Sequence, residues 1–283
     1  MNRANLAGVS VGDGLNVAVV GALNVSPESF YAGSVVAEAD RLLRAGEAMA
    51  RAGAAWLDVG AMSTAPYLAT RIPELQEAER LHRAVGLLAT KLDLPVSADV
   101  SRVVPARAAL EAGARLINDV TGLAGDPALA GLVAEARAGL ILMASPVAAP
   151  VPGDPVSTVR AALTRSLALA RAAGIPDERI VLDPGIGFFR GDAVARPDWD
   201  CRVLAGLAGL RPLGRPLHVG VSRKSFIGAL AGVDDPAGRL PGTLAATTAA
   251  VLGGAHVIRA HDVAETVQAV RVAQAILRVR ESR

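Results

Sequence analysis

Short apolar segments alternate with longer stretches of helical spacing along almost the whole chain, and this pattern constrains the fold more than any other feature. Each apolar segment has four to seven residues, and an Ala-, Leu- and Arg-rich stretch follows it. Strands that are apolar on both faces and joined by helices are typical of parallel sheets. The eight predicted strands cover residues 17–23, 55–60, 95–100, 115–118, 139–143, 180–183, 217–221 and 255–259.

Eight consecutive strand-helix units favour an α/β fold of the closed (β/α)8 TIM barrel type. An open doubly wound sheet would need a chain reversal or an extra edge strand. Such a barrel takes about 250 residues, and the chain has 283, so we expect one domain over residues 1–283. The predicted helices cover residues 35–52, 73–90, 104–112, 127–136, 155–173, 198–210, 242–252 and 263–278.

Composition narrows the possible partners and location. The net charge is +2, and the pI of about 9.1 reflects arginines rather than a basic surface, so no nucleic acid partner is expected. The first twenty residues lack an unbroken apolar stretch, so no membrane partner is expected. Cys201 is the single cysteine and cannot form an intramolecular disulfide, which indicates a soluble, cytoplasmic protein.

Polar residues gather where the predicted strands end. In a parallel barrel these positions meet at one end, where binding and catalytic residues are usually found. We therefore expect one functional site built from several strand ends. The residues are Asn24, Asp58, Asp99, Asn118, Asp119, Asp183, Ser222, Arg223, Lys224, Ser225, Arg259, His261 and Asp262.

Two carboxylates, Asp99 and Asp183, end apolar strands, where an unpaired charge is costly. One interpretation is that Lys224 or Arg223 neutralises them in a buried ion network. The other is that a ligand supplies the donors. A heteroaromatic ring with an exocyclic amine beside a ring N–H, such as a pterin or guanine, presents two parallel donors to a carboxylate, and Asn118 can both donate and accept.

Cations and hydroxyls at the last two strand ends predict an anion site. Ser222, Arg223 and Lys224 follow the seventh strand, and Arg259 and His261 follow the eighth, where barrels often bind phosphate. The alternative is a helix start with surface salt bridges.

Three further observations concern residues outside these two groups or a metal ion. Phe188, next to a Gly-Ile-Gly turn, either covers a flat ligand or packs in the core. His82, His218 and His256 stand alone, whereas His261 lies two residues after Arg259, so no function is assigned to the three. A Mg²⁺ ion held by Asn24 and substrate phosphates would leave no stronger sequence pattern.

Eight ordered motifs, spread over nearly the whole chain, make the sequence resemble the dihydropteroate synthase family. Each motif is moderately specific, and their shared order is highly specific. They are Asn24-Val-Ser-Pro-Glu-Ser-Phe30, Asp58-Val-Gly-Ala-Met-Ser-Thr64, Ser97-Ala-Asp99, Ile117-Asn-Asp-Val120, Leu182-Asp-Pro-Gly-Ile-Gly-Phe188, Gly220-Val-Ser-Arg-Lys-Ser-Phe226, Gly242-Thr-Leu-Ala245 and Arg259-Ala-His-Asp262.

The resemblance implies condensation of 6-hydroxymethyl-7,8-dihydropterin diphosphate with 4-aminobenzoate, which gives 7,8-dihydropteroate and pyrophosphate in folate synthesis. Arg259, His261 and Lys224 would serve catalysis, and Mg²⁺ would bind near Asn24. A homodimer is also expected. By resemblance the pterin would be held by Asp99, Asn118, Asp183 and Lys224 beside Phe188, the diphosphate by Asn24, Arg259 and His261, and the aminobenzoate by Thr64 and Ser222.

The chain departs from the family pattern in three places. Ala65 stands where an Arg usually follows the Ser-Thr pair, and Arg71 is a possible substitute. The fifth strand ends Leu142-Met-Ala-Ser145 where His-Met-x-Gly is common, and Phe189-Arg190 replaces Gly-Lys after Phe188. The altered second loop leaves open a synthase that uses another arylamine. Two further alternatives are a methyltetrahydrofolate-dependent methyltransferase, which would share the pterin carboxylates, and a non-enzymatic pterin-binding protein.

Overall fold

The computed structural model describes residues 1–25, 35–62, 72–146, 153–189 and 194–281. In these residues a short hairpin precedes eight parallel strands, and helices surround the strands. The hairpin is β1 (Arg3–Leu6) and β2 (Val9–Gly12), and the barrel strands are β3 (Ala18–Asn24), β4 (Trp56–Gly60), β5 (Val96–Asp99), β6 (Leu116–Asp119), β7 (Gly139–Met143), β8 (Ile180–Asp183), β9 (His218–Gly220) and β10 (Val257–Ala260). The helices are α1 (Val35–Ala52), α2 (Glu74–Lys91), α3 (Val103–Glu111), α4 (Leu129–Glu135), α5 (Pro155–Ala172), α6 (Arg196–Ala205), α7 (Ser225–Ala231), α8 (Leu240–Leu252) and α9 (Val263–Glu281).

The strands form a closed barrel in chain order. The ladder runs from β8 down to β3 and continues through β10 to β9. A bridge between Leu182 and Leu217 joins the two remaining edges. This arrangement confirms the predicted TIM barrel, and each of the eight predicted strands overlaps an observed one.

Two helix predictions need correction. The helix predicted over residues 198–210 ends at Ala205, and a 3-10 segment, Leu207–Leu213, replaces its second half. Gly206, Gly209 and Pro212 explain the change, because glycine and proline both disfavour a continued α-helix. The short helix α7 was not predicted, since its seven residues are too few to show a helical period.

Helix α2 illustrates how the outer layer packs. Its apolar residues Ala78, Leu81, Val85 and Leu88 are buried and recur at intervals of three or four, so they form one face toward the barrel. None of the helices in the described part of the chain combines the length and apolar character that a membrane span requires.

The hairpin closes the amino-terminal end of the barrel, which we call the closed end. Leu6 and Val11 are fully buried there against apolar side chains from the starts of the strands, among them Trp56 and Leu116. Full burial of a leucine side chain stabilises a fold by about 1.5–3 kcal/mol. The opposite end, which we call the mouth, is therefore the accessible one.

Asp13, after the hairpin, bonds it to the barrel. Its carboxylate accepts hydrogen bonds from Asn2 N at 2.8 Å and Arg211 Nη2 at 2.9 Å, and it lies 3.1 Å from His256 Nε2. Desolvation opposes ionisation, but these hydrogen bonds outweigh it and lower the pKa of Asp13 to about 2. His256 Nδ1 accepts from Leu217 N at 3.0 Å, so its ring proton lies on Nε2 and points to Asp13.

Candidate active site

Strand register brings the predicted polar residues to the mouth. Asp99 at the end of β5 pairs in register with Asn118 on β6 and with Gly60 on β4. Asp183 ends β8, and Arg259 lies on β10. Because parallel strands in a barrel end at the same side, these groups surround one opening.

Arg259 bridges two of the carboxylates. Its Nε donates to Asp58 Oδ2 at 2.6 Å, and its Nη2 donates to Asp99 Oδ2 at 3.2 Å. Both carboxylates are buried, while the Arg259 side chain keeps 20% of its surface exposed. The guanidinium thus joins the interior of the barrel to the mouth.

Asp58 holds the network together; the sequence pattern placed it among the strand-end residues of the site but assigned it no ligand and no partner. Besides Arg259, it accepts hydrogen bonds from Ser97 Oγ at 2.5 Å and from Asn118 Nδ2 at 3.0 Å. The sequence feature that marks Asp58 is its position as the single carboxylate in the otherwise apolar strand β4. With three donors on a single buried carboxylate, the charge is compensated and Asn118 and Arg259 are fixed.

Asp99 combines burial with an unused acceptor. Burial raises the pKa of its carboxyl to about 7, since the attraction of Arg259 does not fully offset desolvation and the repulsion from Asp58. In the described residues its Oδ1 atom is buried and accepts no hydrogen bond. Such an atom is costly to leave unpaired, so it marks a position for a ligand donor.

Asp183 receives one donor on each oxygen. Gly185 N donates to Oδ1 at 2.7 Å, and His218 Nδ1 lies 2.7 Å from Oδ2. Burial alone would raise the pKa of Asp183, but the hydrogen bond from His218 and the nearby positive charge of Lys224 lower it below its usual value. His218, to which the sequence assigned no function, is thus in direct contact with a predicted pterin residue.

Lys224 lies across the turn that follows β8. Its ammonium donates to the carbonyl of Ile186 and lies 4.9 Å from the centre of the Phe188 ring. Burial lowers the pKa of Lys224, and the carboxylates of Asp183 and Asp200 oppose this effect. Phe188 is half-buried, whereas Phe189 is buried and stacks on Trp199, so Phe189 is the core residue of this pair.

Arg223 contacts neither Asp99 nor Asp183, so of the two cations in the ion-network interpretation only Lys224 acts on Asp183. The Arg223 guanidinium makes a bidentate pair with Asp262, at 2.9 Å from Nε and 2.5 Å from Nη2. The backbone of Arg223 is left-handed, with φ of 56°, and its N–H donates to Thr243 Oγ1 at 2.9 Å. This turn directs Arg223 away from Lys224, which follows it in the sequence.

Ser222 and His261 form a pair between the last two strands. The backbone N–H of His261 donates to Ser222 Oγ at 3.2 Å, and Ser222 Oγ lies 2.9 Å from His261 Nδ1. Nδ1 is the acceptor that the described contacts offer to the Ser222 proton, so we assign the hydroxyl as the donor, and the ring proton then lies on Nε2. Burial, Arg259 and Arg223 lower the pKa of His261 to about 4, so its ring is neutral near pH 7.

Asn24 is exposed at the end of β3. A Cβ atom built at Gly60 would lie 3.5 Å from Asn24 Oδ1 and 3.8 Å from Asp99 Oδ2, so this glycine leaves the space between the two oxygens open. Thr64 and Arg71 lie outside the described residues, as do most of the first motif and Arg190.

Comparison with known proteins agrees with this geometry. The family model described as "Pterin binding enzyme" matches residues 20–261. The dihydropteroate synthase of Mycobacterium leprae is 39% identical and that of Synechocystis 36% identical; each alignment covers 92% of this chain and 94% and 90% of the relatives. The chain belongs to the dihydropteroate synthase family.

A solved structure from this family has the same fold. The Xanthomonas albilineans dihydropteroate synthase with 4-aminobenzoic acid superimposes with a TM-score of 0.85 at 35% identity, over 97% of each chain. The predicted family, transferase class and function are thus confirmed. The roles predicted for individual residues are not tested by these matches and stay predictions.

Proposed function

We propose that this chain condenses 6-hydroxymethyl-7,8-dihydropterin diphosphate with 4-aminobenzoate through the residues at the mouth. The observation that carries the proposal is the buried Asp99 Oδ1, which accepts no hydrogen bond in the described residues. A pterin N–H donor satisfies this atom, whereas the methyltransferase and the binding-protein alternatives give no reason for the cations beside it.

The pterin ring would be bound by complementary hydrogen bonds. Asp183 is anionic and accepts the ring N–H and exocyclic amine, and Asp99 accepts a further ring N–H. Asn118 uses its amide NH₂ on Asp58, which leaves its carbonyl oxygen for the ligand. Lys224 donates to a ring acceptor, and the half-buried Phe188 packs against the pterin.

The diphosphate would lie against Arg259 and His261. Arg259 has further N–H groups besides the two that bind Asp58 and Asp99, and His261 has its Nε2 proton. Asn24 would hold Mg²⁺ together with diphosphate oxygens, because a carboxamide oxygen is a suitable hard ligand. When bound, Mg²⁺ supplies positive charge that offsets the negative charge on the leaving group.

The reaction then follows from charge separation. The bond between the methylene carbon and the diphosphate oxygen breaks, and its electron pair leaves with the diphosphate. Arg259 and His261 stabilise the departing anion, while the positive charge on the carbon spreads into the pterin ring. The amine nitrogen forms the new C–N bond and releases a proton, without a covalent intermediate on the protein.

The aminobenzoate part of the site departs from the family pattern, because Ala65 replaces the usual Arg. Ser222 lies at the mouth, and Thr64 completes the predicted aminobenzoate site. The Xanthomonas relative, which was solved with 4-aminobenzoic acid, supports this amine. An enzyme that uses another arylamine is the second candidate, and the missing guanidinium favours it.

The test is pyrophosphate release from dihydropterin diphosphate, Mg²⁺ and 4-aminobenzoate, with each component omitted in turn. We expect release that depends on the amine, with dihydropteroate as product and a large loss of rate after chelation of the metal. Competition with a panel of arylamines identifies the preferred one. Pterin binding without turnover on any amine would contradict the proposal.

Location and assembly complete the proposal. A cytoplasmic location fits the single Cys201, which has no partner for an intramolecular disulfide. A homodimer is supported by an apolar cavity of about 630 Å³ among α6, α7 and α8, beside which Leu230 is 59% exposed. Light scattering of the wild type and of Leu230→Glu tests this assembly, and a monomeric wild type would refute it.

A further inference from the structure

The contact between His218 and Asp183 lies outside the set of ligand-binding residues proposed above. His218 is on β9, is 1% exposed, and lies behind the carboxylate that ends the neighbouring strand β8. Its Nδ1 atom is 2.7 Å from Asp183 Oδ2. The imidazole is therefore close to the predicted pterin site but has no access to the pterin itself.

The hydrogen bonds of the imidazole identify it as a donor. In the described residues its Nε2 atom is buried and has no hydrogen-bond partner. A buried N–H without an acceptor is rarer than an acceptor without a donor, so the ring proton belongs on Nδ1, where Asp183 accepts it. His218 thus donates to the carboxylate and leaves a bare nitrogen in the apolar interior.

The second donor to Asp183 fixes its plane. Gly185 N binds Oδ1 at 2.7 Å, so in the part of the chain that the structure describes each oxygen has one protein donor and one further lone pair. Two donors on different atoms hold the carboxylate in one orientation. A bidentate ligand needs this orientation, because its two N–H groups are parallel and about as far apart as the two carboxylate oxygens.

We propose that His218 is a positioning residue for the pterin, which it aligns and keeps bound by donating a hydrogen bond to Asp183. The proposal rests on the proposed role of Asp183. It goes further by adding a residue, one strand away, that sets the strength and the pH range of pterin binding without touching the ligand.

The charged groups around Asp183 explain why this donor matters. Within the described residues, Lys224, after β9, and Arg259, on β10, are the lysine and arginine that act on it electrostatically. Lys224 is shared with Asp200 on α6, and Arg259 is shared with Asp58 and Asp99. Neither cation makes a hydrogen bond to Asp183 among the described contacts, so His218 is the side chain that directly stabilises the anion.

The experiment compares His218→Leu, which has similar volume but no donor, with His218→Asn, whose amide NH₂ takes the place of Nδ1. Binding of 6-hydroxymethylpterin is measured by calorimetry from pH 5 to 8. We expect His218→Leu to weaken binding about 10-fold, the size of one lost hydrogen bond to a charged group. The loss should grow toward pH 5, because the less stabilised carboxylate is protonated more easily.

The conservative variant distinguishes donation from packing. His218→Asn should recover most of the affinity and the pH profile of the wild type, and the KM for 4-aminobenzoate should change little in either variant. Equal losses in both variants, or wild-type affinity in His218→Leu, would overturn the proposal.

Two controls keep the outcomes separate. Asp183→Asn should abolish pterin binding; if it does not, the role of Asp183 in the proposed function is wrong. If Asp183→Asn fails to bind but His218→Leu binds normally, only the inference about His218 is wrong. Nitrogen NMR of the His218 imidazole can be measured in the protein with its native histidine. We expect the ring proton on Nδ1, where Asp183 accepts it. If the imidazole signal were unchanged in Asp183→Asn, the proposal would also be overturned.

Discussion

Replacement of Asp99 by Asn is expected to stabilise the protein at pH 8 while it removes pterin binding. Desolvation by burial raises the pKa of this carboxyl from 3.8 to about 7, and Arg259 only partly opposes the rise. The unfolded chain loses the proton near pH 4, but the folded chain keeps it to about pH 7. Between these values the folded state binds more protons, so stability falls as the pH rises.

The size of the effect follows from the shift. Each pH unit within this window lowers the free energy of unfolding by about 1.4 kcal/mol. Over about three units the loss reaches about 4 kcal/mol, as an order of magnitude. Asn cannot ionise and keeps an amide oxygen for Arg259, while Asp58 still compensates the guanidinium charge.

Equilibrium urea unfolding of the wild type and Asp99→Asn at pH 5, 6, 7 and 8 tests this prediction. The difference in free energy of unfolding should shift in favour of the variant by about 3 kcal/mol from pH 5 to 8. Asp40→Asn, which removes an exposed carboxylate from α1, is the matched control for loss of one negative charge. A pH-independent difference would refute the burial argument, and wild-type pterin affinity in Asp99→Asn would refute the ligand role of Asp99.

Three further changes test Arg259, the contact between Ser222 and His261, and the closed end. Arg259→Ala should abolish pyrophosphate release and cost about 3–5 kcal/mol of stability, because two buried carboxylates lose their cation; unchanged turnover would remove Arg259 from the site. Ser222→Ala should lower kcat about 10-fold, because the tautomer of His261 is no longer fixed, and a wild-type rate would contradict this. Since the pKa of His261 is about 4, the rate profile should contain no ionisation of this residue between pH 6 and 8. Asp13→Asn should lower the free energy of unfolding at pH 7 by about 1 kcal/mol, with allowance for solvent screening. Thermal unfolding should show that this deficit shrinks as the pH falls from 3.8 toward 2. Over this range the wild type itself loses the contribution of Asp13, because the pKa of this carboxyl is about 2 in the folded state.

The barrel was predictable from sequence because its strands are buried on both faces. The runs at residues 139–143 and 180–183 have the observed bounds: the first is apolar from Gly139 to Met143, and the second lies between Arg179 and Pro184 and is apolar up to its last residue, Asp183. The hairpin of β1 and β2 was missed because each strand has only four residues, and only the contact with the closed end makes Leu6 a core residue.

The site was predictable in its residues but not in its pairings. Strand ends indicated that Asp99, Asp183 and Arg259 would meet, since all parallel strands of a barrel end at one side. No local pattern indicates that Arg259 spans two carboxylates or that His218 lies against Asp183. These pairings join residues 35 to 201 positions apart, so they depend on barrel closure and register.

Both ends of the described chain lie away from the mouth. The segment before β3 forms the hairpin at the closed end, and Arg278, in the last turn of α9, bonds Asn16 Oδ1 at 2.8 Å beside the start of β3. A reporter, an affinity tag or a surface linker attached to either end would therefore leave substrate entry open. Immobilised in this way, every molecule would present its catalytic opening to the solution, which makes the protein suited to ligand screening on a sensor surface.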